Sequence, residues 1–162
     1  MRLLREMGGQ TMASGVVAVL LLIAVAAGAV DGLHLLTLRQ RCLEIASAAA
    51  LRGASAGRDY AGYLATGQIG LDVVAAGDEA AMAADAALTA LGLSGYTIKV
   101  EVLDAPGGGS VADFPPGQTW TETQPAVGVY LEVPGDTALM QAVIGSPATL
   151  HVFAAAGIAT QQ

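Results

Sequence analysis

From Met12 to Val30 the chain reads MASGVVAVLLLIAVAAGAV, 19 residues without a charge. At 1.5 Å per residue a helix of that length covers about 28 Å, the hydrocarbon thickness of a bilayer. The apolar rhythm continues past it. Leu33, Leu36, Ile45 and the alanines of IASAAALRG run to Gly53 without a proline or turn pair. This predicts one helix from about Met12 to Arg52, on the order of 60 Å long, half in lipid and half beyond it. In the outer half Arg39, Arg41 and Glu44 are available to water, while Leu35, Leu38, Cys42 and Ile45 form a face that needs cover. Those four are the candidate partner-facing positions. Ala24, Gly28 and Gly32 recur at i, i+4 and i+8, a small-residue strip along which another helix can approach closely. Asp31 marks the outer boundary, where a carboxylate reaches headgroups or water.

Beyond Gly53 the pattern shortens. GASAGRDYAGYLATGQIG reads as a flexible passage, and DEAAMAADAALTAL predicts a helix from Asp78 to Leu91, with Asp78 and Glu79 at its start and Gly92 or Gly95 closing it. YTIKVEVLD alternates, placing Ile98, Val100 and Val102 on one face of a half-buried strand. The segment 105–126 holds four of the six prolines and reads as a loop. VGVYLEV predicts a second strand, GDTALMQAVIG a short helix or turn, and TLHVFAAAGIA a last strand. The expected architecture is α+β: a long N-terminal transmembrane helix extending into a small antiparallel-sheet domain, with the sheet covered by the Asp78 helix and the outer half of the long helix. The divisions are 1–11 cytoplasmic, 12–30 transmembrane, 31–52 the extramembrane continuation of the helix, and 53–162 an acidic outer domain.

Charge supports that division and orients it. Residues 1–52 carry five arginines against three acids, whereas residues 53–162 carry two cations against eleven acids, a balance of −9. So acidic a domain repels phosphate, which excludes nucleic acid as a partner. Arg2 and Arg5 favour a cytoplasmic N-terminus with the domain outside. A secretory signal is the competing assignment, but the apolar run exceeds the roughly 7–15 residues of such a segment, so a retained anchor is expected. Hydrophobic residues make up 54% of the chain and aromatics 4%, so the core must be built from Ala, Val and Leu in close contact. The single Cys42 rules out an internal disulfide and a cysteine-based zinc site.

Candidate chemistry is sparse. Gly53-Ala54-Ser55-Ala56-Gly57 matches G-x-S-x-G and His151 follows it, but a nucleophile elbow requires a strand before the serine and a helix after it, and here a helix precedes it. His34 and His151 read as structural histidines; His34 is the first residue to examine if pigments lie nearby. Asp72, Asp78, Glu79 and Asp85 lack the spacing of a calcium loop and read as a solvated face. Gly107-Gly108-Gly109-Ser110 reads as a linker, and Trp120 as folded back on the domain. No catalytic residue, metal ligand or cofactor is expected.

Gly9-Gln10-Thr11, then the apolar stretch Val16 to Val30, then Asp31, then LTLRQRCLEIASAAALRGA resemble the N-terminal region of the TadE/TadG-like family of tight-adherence pilus proteins. The C-terminal AVGVYLEVPGDTALMQAVIGSPATLHVFAAAGIA looks like that family too. The resemblance implies a pilin-like envelope protein of the bacterial cytoplasmic membrane that inserts by its N-terminal helix and assembles with other membrane helices. Processed pseudopilins of this group carry glutamate five residues after the cleaved glycine; the fifth after Gly9 is Ser14, so an uncleaved chain is expected. A different class of function, a single-span accessory subunit of a larger membrane complex such as an energy-transducing one, is the alternative.

Overall fold

A computed structural model describes residues 3–135 and 148–158, with side chains described for 14–135 and 148–158. Among the described residues eight elements follow one another: α1 (Leu3–Ala56), α2 (Tyr60–Thr66), α3 (Val73–Ala90), β1 (Thr97–Leu103), β2 (Gly109–Val111), β3 (Trp120–Glu122), β4 (Ala126–Gly135) and β5 (Ala148–Gly157). The class is α+β, as the hydrophobic pattern predicts. Two compact units divide the chain, the first taking α1 through Thr37, the second running from Leu38 to Gly135 and resuming at Thr149.

In the first unit, α1 presents its apolar side chains outward, Leu22 at 71% and Val25 at 72% exposure among them. From Ser14 onward α1 is long and apolar enough to cross a membrane by length and composition.

The second unit packs helices on one face of a three-stranded sheet of order β1-β4-β5. β4 is the centre, paired antiparallel with β1 from Thr97↔Glu132 to Leu103↔Ala126. Its alternate residues Val127, Val129, Leu131 and Val133 meet Cys42, Ala46, Ala49, Ala50 and Ala54 of α1 and Ala76, Ala80, Ala84 and Leu88 of α3. Ile98, Val100 and Val102 of β1 join the same core, on the face that their alternation predicts. The alanines of α3 recur every four residues, so they form one stripe. With so little side-chain volume the helices must approach closely, and two glycines permit it. A Cβ on Gly53 would lie 2.6 Å from the Ala76 carbonyl oxygen and 2.8 Å from Ala80 Cβ, and one on Gly57 would collide with Ala76. The contacts run in opposite sequence order, so α1 and α3 are antiparallel here.

Several boundaries differ from the sequence expectation. α1 continues to Ala56, since the glycine at position 53 is helical and packed rather than terminal. The passage 53–70, expected to be flexible, contains α2, whose first turn is capped by Asp59 (Gly62 N donating to its carboxylate at 2.8 Å). α3 begins at Val73, not Asp78, because Asp72 is the cap: it accepts from Val74 N at 3.0 Å and Ala75 N at 3.1 Å. It does close at Gly92, which takes the left-handed conformation (φ 74°) that glycine tolerates.

The loop expected over 105–126 is instead a packed layer. β2 and β3 pair as a two-stranded ribbon, so Gly109 and Ser110 belong to a strand rather than a linker. Phe114 and Trp120 are buried against the outer face of β4. Gly128 makes their place: a Cβ there would lie 2.8 Å from Phe114 Cε1 and 2.9 Å from Trp120 Cζ3. β4 is therefore buried on both faces, valines and leucine inward, Ala126, Gly128 and Tyr130 outward. The predicted helix or turn after Gly135 lies outside the described residues.

Gly53→Ala and Gly57→Ala should each destabilise the second unit by about 1–3 kcal/mol through overpacking. Gly28→Ala should leave it unchanged, a Cβ there meeting nothing within 4 Å among the described residues. Denaturant unfolding of the full chain in detergent, followed by the fluorescence of the single, buried Trp120, distinguishes the two outcomes.

Candidate functional site

The small-residue strip of α1 is open. A Cβ on Gly28 or Gly32 would meet no described atom within 4 Å, and Ala24 is exposed beside large apolar neighbours. Asp31 is half-exposed at the end of the run. In a water-soluble monomer a contiguous exposed apolar surface of this kind is rare; it marks contact with lipid or another protein.

The four positions expected to face a partner divide. Leu35, in the first unit, is half-exposed. Cys42 is fully buried, and Leu38 and Ile45 pack on the same core, so the chain's own sheet and α3 cover this face. Burial also pushes the Cys42 thiol upward from its ordinary pKa.

The residues weighed for chemistry are held apart by different partners. Ser55 Oγ donates to the Arg52 carbonyl at 2.9 Å, on the exposed side of α1, while the two glycines around it pack on α3. His151 Nδ1 lies 2.7 Å from the Tyr130 hydroxyl. His34 is exposed on α1. The acids expected to form one solvated face have separate tasks: Asp72 caps α3, Glu79 pairs with Arg52 at 3.3 Å, and Asp85 accepts from the Tyr96 hydroxyl at 2.7 Å. Among the described residues no three His, Cys, Asp or Glu side chains gather as metal ligands would.

Three features were not foreseen. On the outer face of the sheet Phe114, Trp120 and Phe153 meet edge to face or tilted, with ring centres 5.5–5.9 Å apart, a favourable aromatic geometry. Beside them a polar row crosses the strands: Lys99 sits 5.7 Å over the Tyr130 ring and 3.7 Å from Glu132, and Tyr130 stacks on His151. The alternation of β1 and β4 contains the Lys99–Tyr130 pairing, but only the register reveals it. Third, Arg41, Glu44, Ile45, Ala48, Arg52 and Ala87 are among the residues lining an open groove of about 570 Å³ between α1 and α3.

No family model, no curated protein and no solved structure matches this chain.

Tyr130 gives the polar row a pH signature. Burial first, then the charge of Glu132 and a hydrogen bond to it, raise its phenol above the ordinary value of 10.0. The folded state thus favours the neutral phenol, a contribution intact below pH 10 and lost as pH rises through the higher folded value. Unfolding free energy measured against pH should fall in the alkaline range, and Tyr130→Phe should remove the tyrosine's share of that fall. Near neutrality the same variant should cost about 1 kcal/mol, for the bond to His151.

Proposed function

We propose that this chain is a membrane-anchored, pilin-like structural or assembly subunit of a cell-envelope filament or pilus system. Residues 12–30 cross the bacterial cytoplasmic membrane once, the N-terminus lies in the cytoplasm, and the acidic domain lies outside. The observation that carries this reading is the exposed apolar surface of α1 upstream of Leu38, with bare glycines at positions 28 and 32. Lipid can cover most of such a surface. A strip without side chains gains little from lipid and much from a neighbouring helix, because small residues let two backbones come within dispersion range. Arg2 and Arg5 ahead of the run support the orientation. The TadE/TadG-like pattern of Gly9-Gln10, apolar helix, Asp31 and the basic, alanine-rich continuation supports the assignment to a pilus system.

In this mechanism α1 does two jobs within one element. Its upstream residues insert and pack with other helices, and its downstream residues form a wall of the sheet unit's core.

Gly28→Leu together with Gly32→Leu should abolish assembly while leaving membrane insertion intact. Fractionation reports insertion, and native mass spectrometry of the extracted chain, with a search for sheared extracellular filament, reports assembly. Unchanged assembly would sink the packing strip. Recovery of the chain only in a detergent-resistant complex with unlike subunits would favour the accessory role instead.

A further inference from the structure

On the outer face of the sheet a buried phenol stands between two groups that could each take its proton. Tyr130 lies on the central strand β4. Its hydroxyl is 2.7 Å from His151 Nδ1 on β5, and the two rings stack at 14°. The same hydroxyl hydrogen-bonds to Glu132, two residues along on the same face of β4. Glu132 is in turn ion-paired across the sheet with Lys99 of β1, at 3.7 Å.

A phenol has one proton to give and lone pairs with which to accept. A carboxylate can only accept, and a hydrogen bond to an ionised oxygen is roughly twice as strong as one between neutral groups. The Tyr130 proton therefore goes to Glu132, and a lone pair of its oxygen faces His151. A bare imidazole nitrogen set 2.7 Å from that lone pair would be repelled, so Nδ1 carries the hydrogen and donates it. A neutral imidazole has one ring hydrogen, which leaves Nε2 bare. His151 is exposed, and its hydrogen bond among the described residues is made through Nδ1. Free imidazole in water prefers the opposite tautomer, so the row imposes its own.

We propose that Glu132, Tyr130 and His151 form a hydrogen-bond chain running one way across β4 and β5, which holds His151 as its Nδ1–H tautomer and presents the Nε2 lone pair to water as a proton-accepting site. A proton taken from water binds that lone pair and breaks no bond of the chain, because Nδ1 donates in the neutral ring and in the cationic one. Loading thus changes the charge of this face and leaves its geometry alone. The charged groups nearest His151 in the row are Glu132 of β4 and Lys99 of β1. Farther along the same face stand Glu101 of β1, opposite Gly128, and Glu122 of β3, which accepts from Trp120 Nε1 at 3.1 Å. One proton on His151 lowers the acidic surplus of these groups by one charge.

Nitrogen NMR of the imidazoles tests this in the full chain, histidine-labelled and held in detergent, with His34→Gln removing the signal of the other histidine. At a pH where the ring is neutral, long-range proton–nitrogen correlations should show His151 with a protonated Nδ1 and a bare Nε2. Acidification should load Nε2 while Nδ1 stays protonated throughout. Tyr130→Phe should return the neutral ring to Nε2–H as its majority form. Glu132→Ala should do the same, since the phenol is then free to donate to Nδ1. Trp120 fluorescence verifies that each variant is folded. An Nε2–H majority in the wild type would overturn the proposal, the phenol then being the donor to His151. A folded Tyr130→Phe or Glu132→Ala variant that keeps the Nδ1–H tautomer would overturn it too, because the chain would not be what selects that form.

Discussion

Gly53 and Gly57 let α1 lie against α3 at a distance that any side chain would forbid, and the second unit is built outward from that contact. Because the helices touch almost backbone to backbone, a layer of alanines suffices to fill the space between them and the sheet. Each alanine buries little area, so cohesion comes from dispersion at close range and not from large apolar side chains. Farther from that contact, residues 41–52 of α1 and 83–91 line the open groove.

β4 passes this constraint to the other side of the sheet. Its inward residues are branched and fill the volume the alanines leave. Its outward residues are small at Ala126 and Gly128, and the aromatic side chains of the 105–126 segment occupy the slot. The chain has few aromatics, and Phe114, Trp120, Tyr130 and Phe153 are concentrated at this one place. One strand is thus the common wall of two cores, aliphatic on one side and aromatic on the other.

Elements with an unbroken period were legible in the sequence. The apolar run of α1, the alternation of Ile98, Val100 and Val102, and the strands around Val129 and Val152 all rest on repetition that burial enforces. What escaped prediction was set by single residues acting at a distance. Asp72 starts α3 through its carboxylate, ahead of the alanine run that drew attention to Asp78. Gly128 orders a proline-rich stretch whose composition alone spells a loop. That the sheet would lie against the outer half of the long helix was expected, but not that β4 covers Cys42 and Ile45, because nothing local says which strand, some eighty residues downstream, meets that face. The open strip at Gly28 and Gly32 was legible because it depends on helical spacing alone. The groove was not, since it belongs to two helices at once.

The order of synthesis gives the shared core a temporal dimension. Cys42, Ala46 and Ala50 are made before α3 begins at Val73 and long before β4 ends at Gly135. Chains are extended at roughly 5–20 residues per second, so for several seconds the nascent protein carries an apolar helix face whose native cover does not yet exist. That face continues the same helix that suits lipid upstream. Completion of β4 is therefore the event at which residues 38–56 commit to their own sheet, and a ribosome that stalls before it leaves them exposed to any other apolar surface within reach.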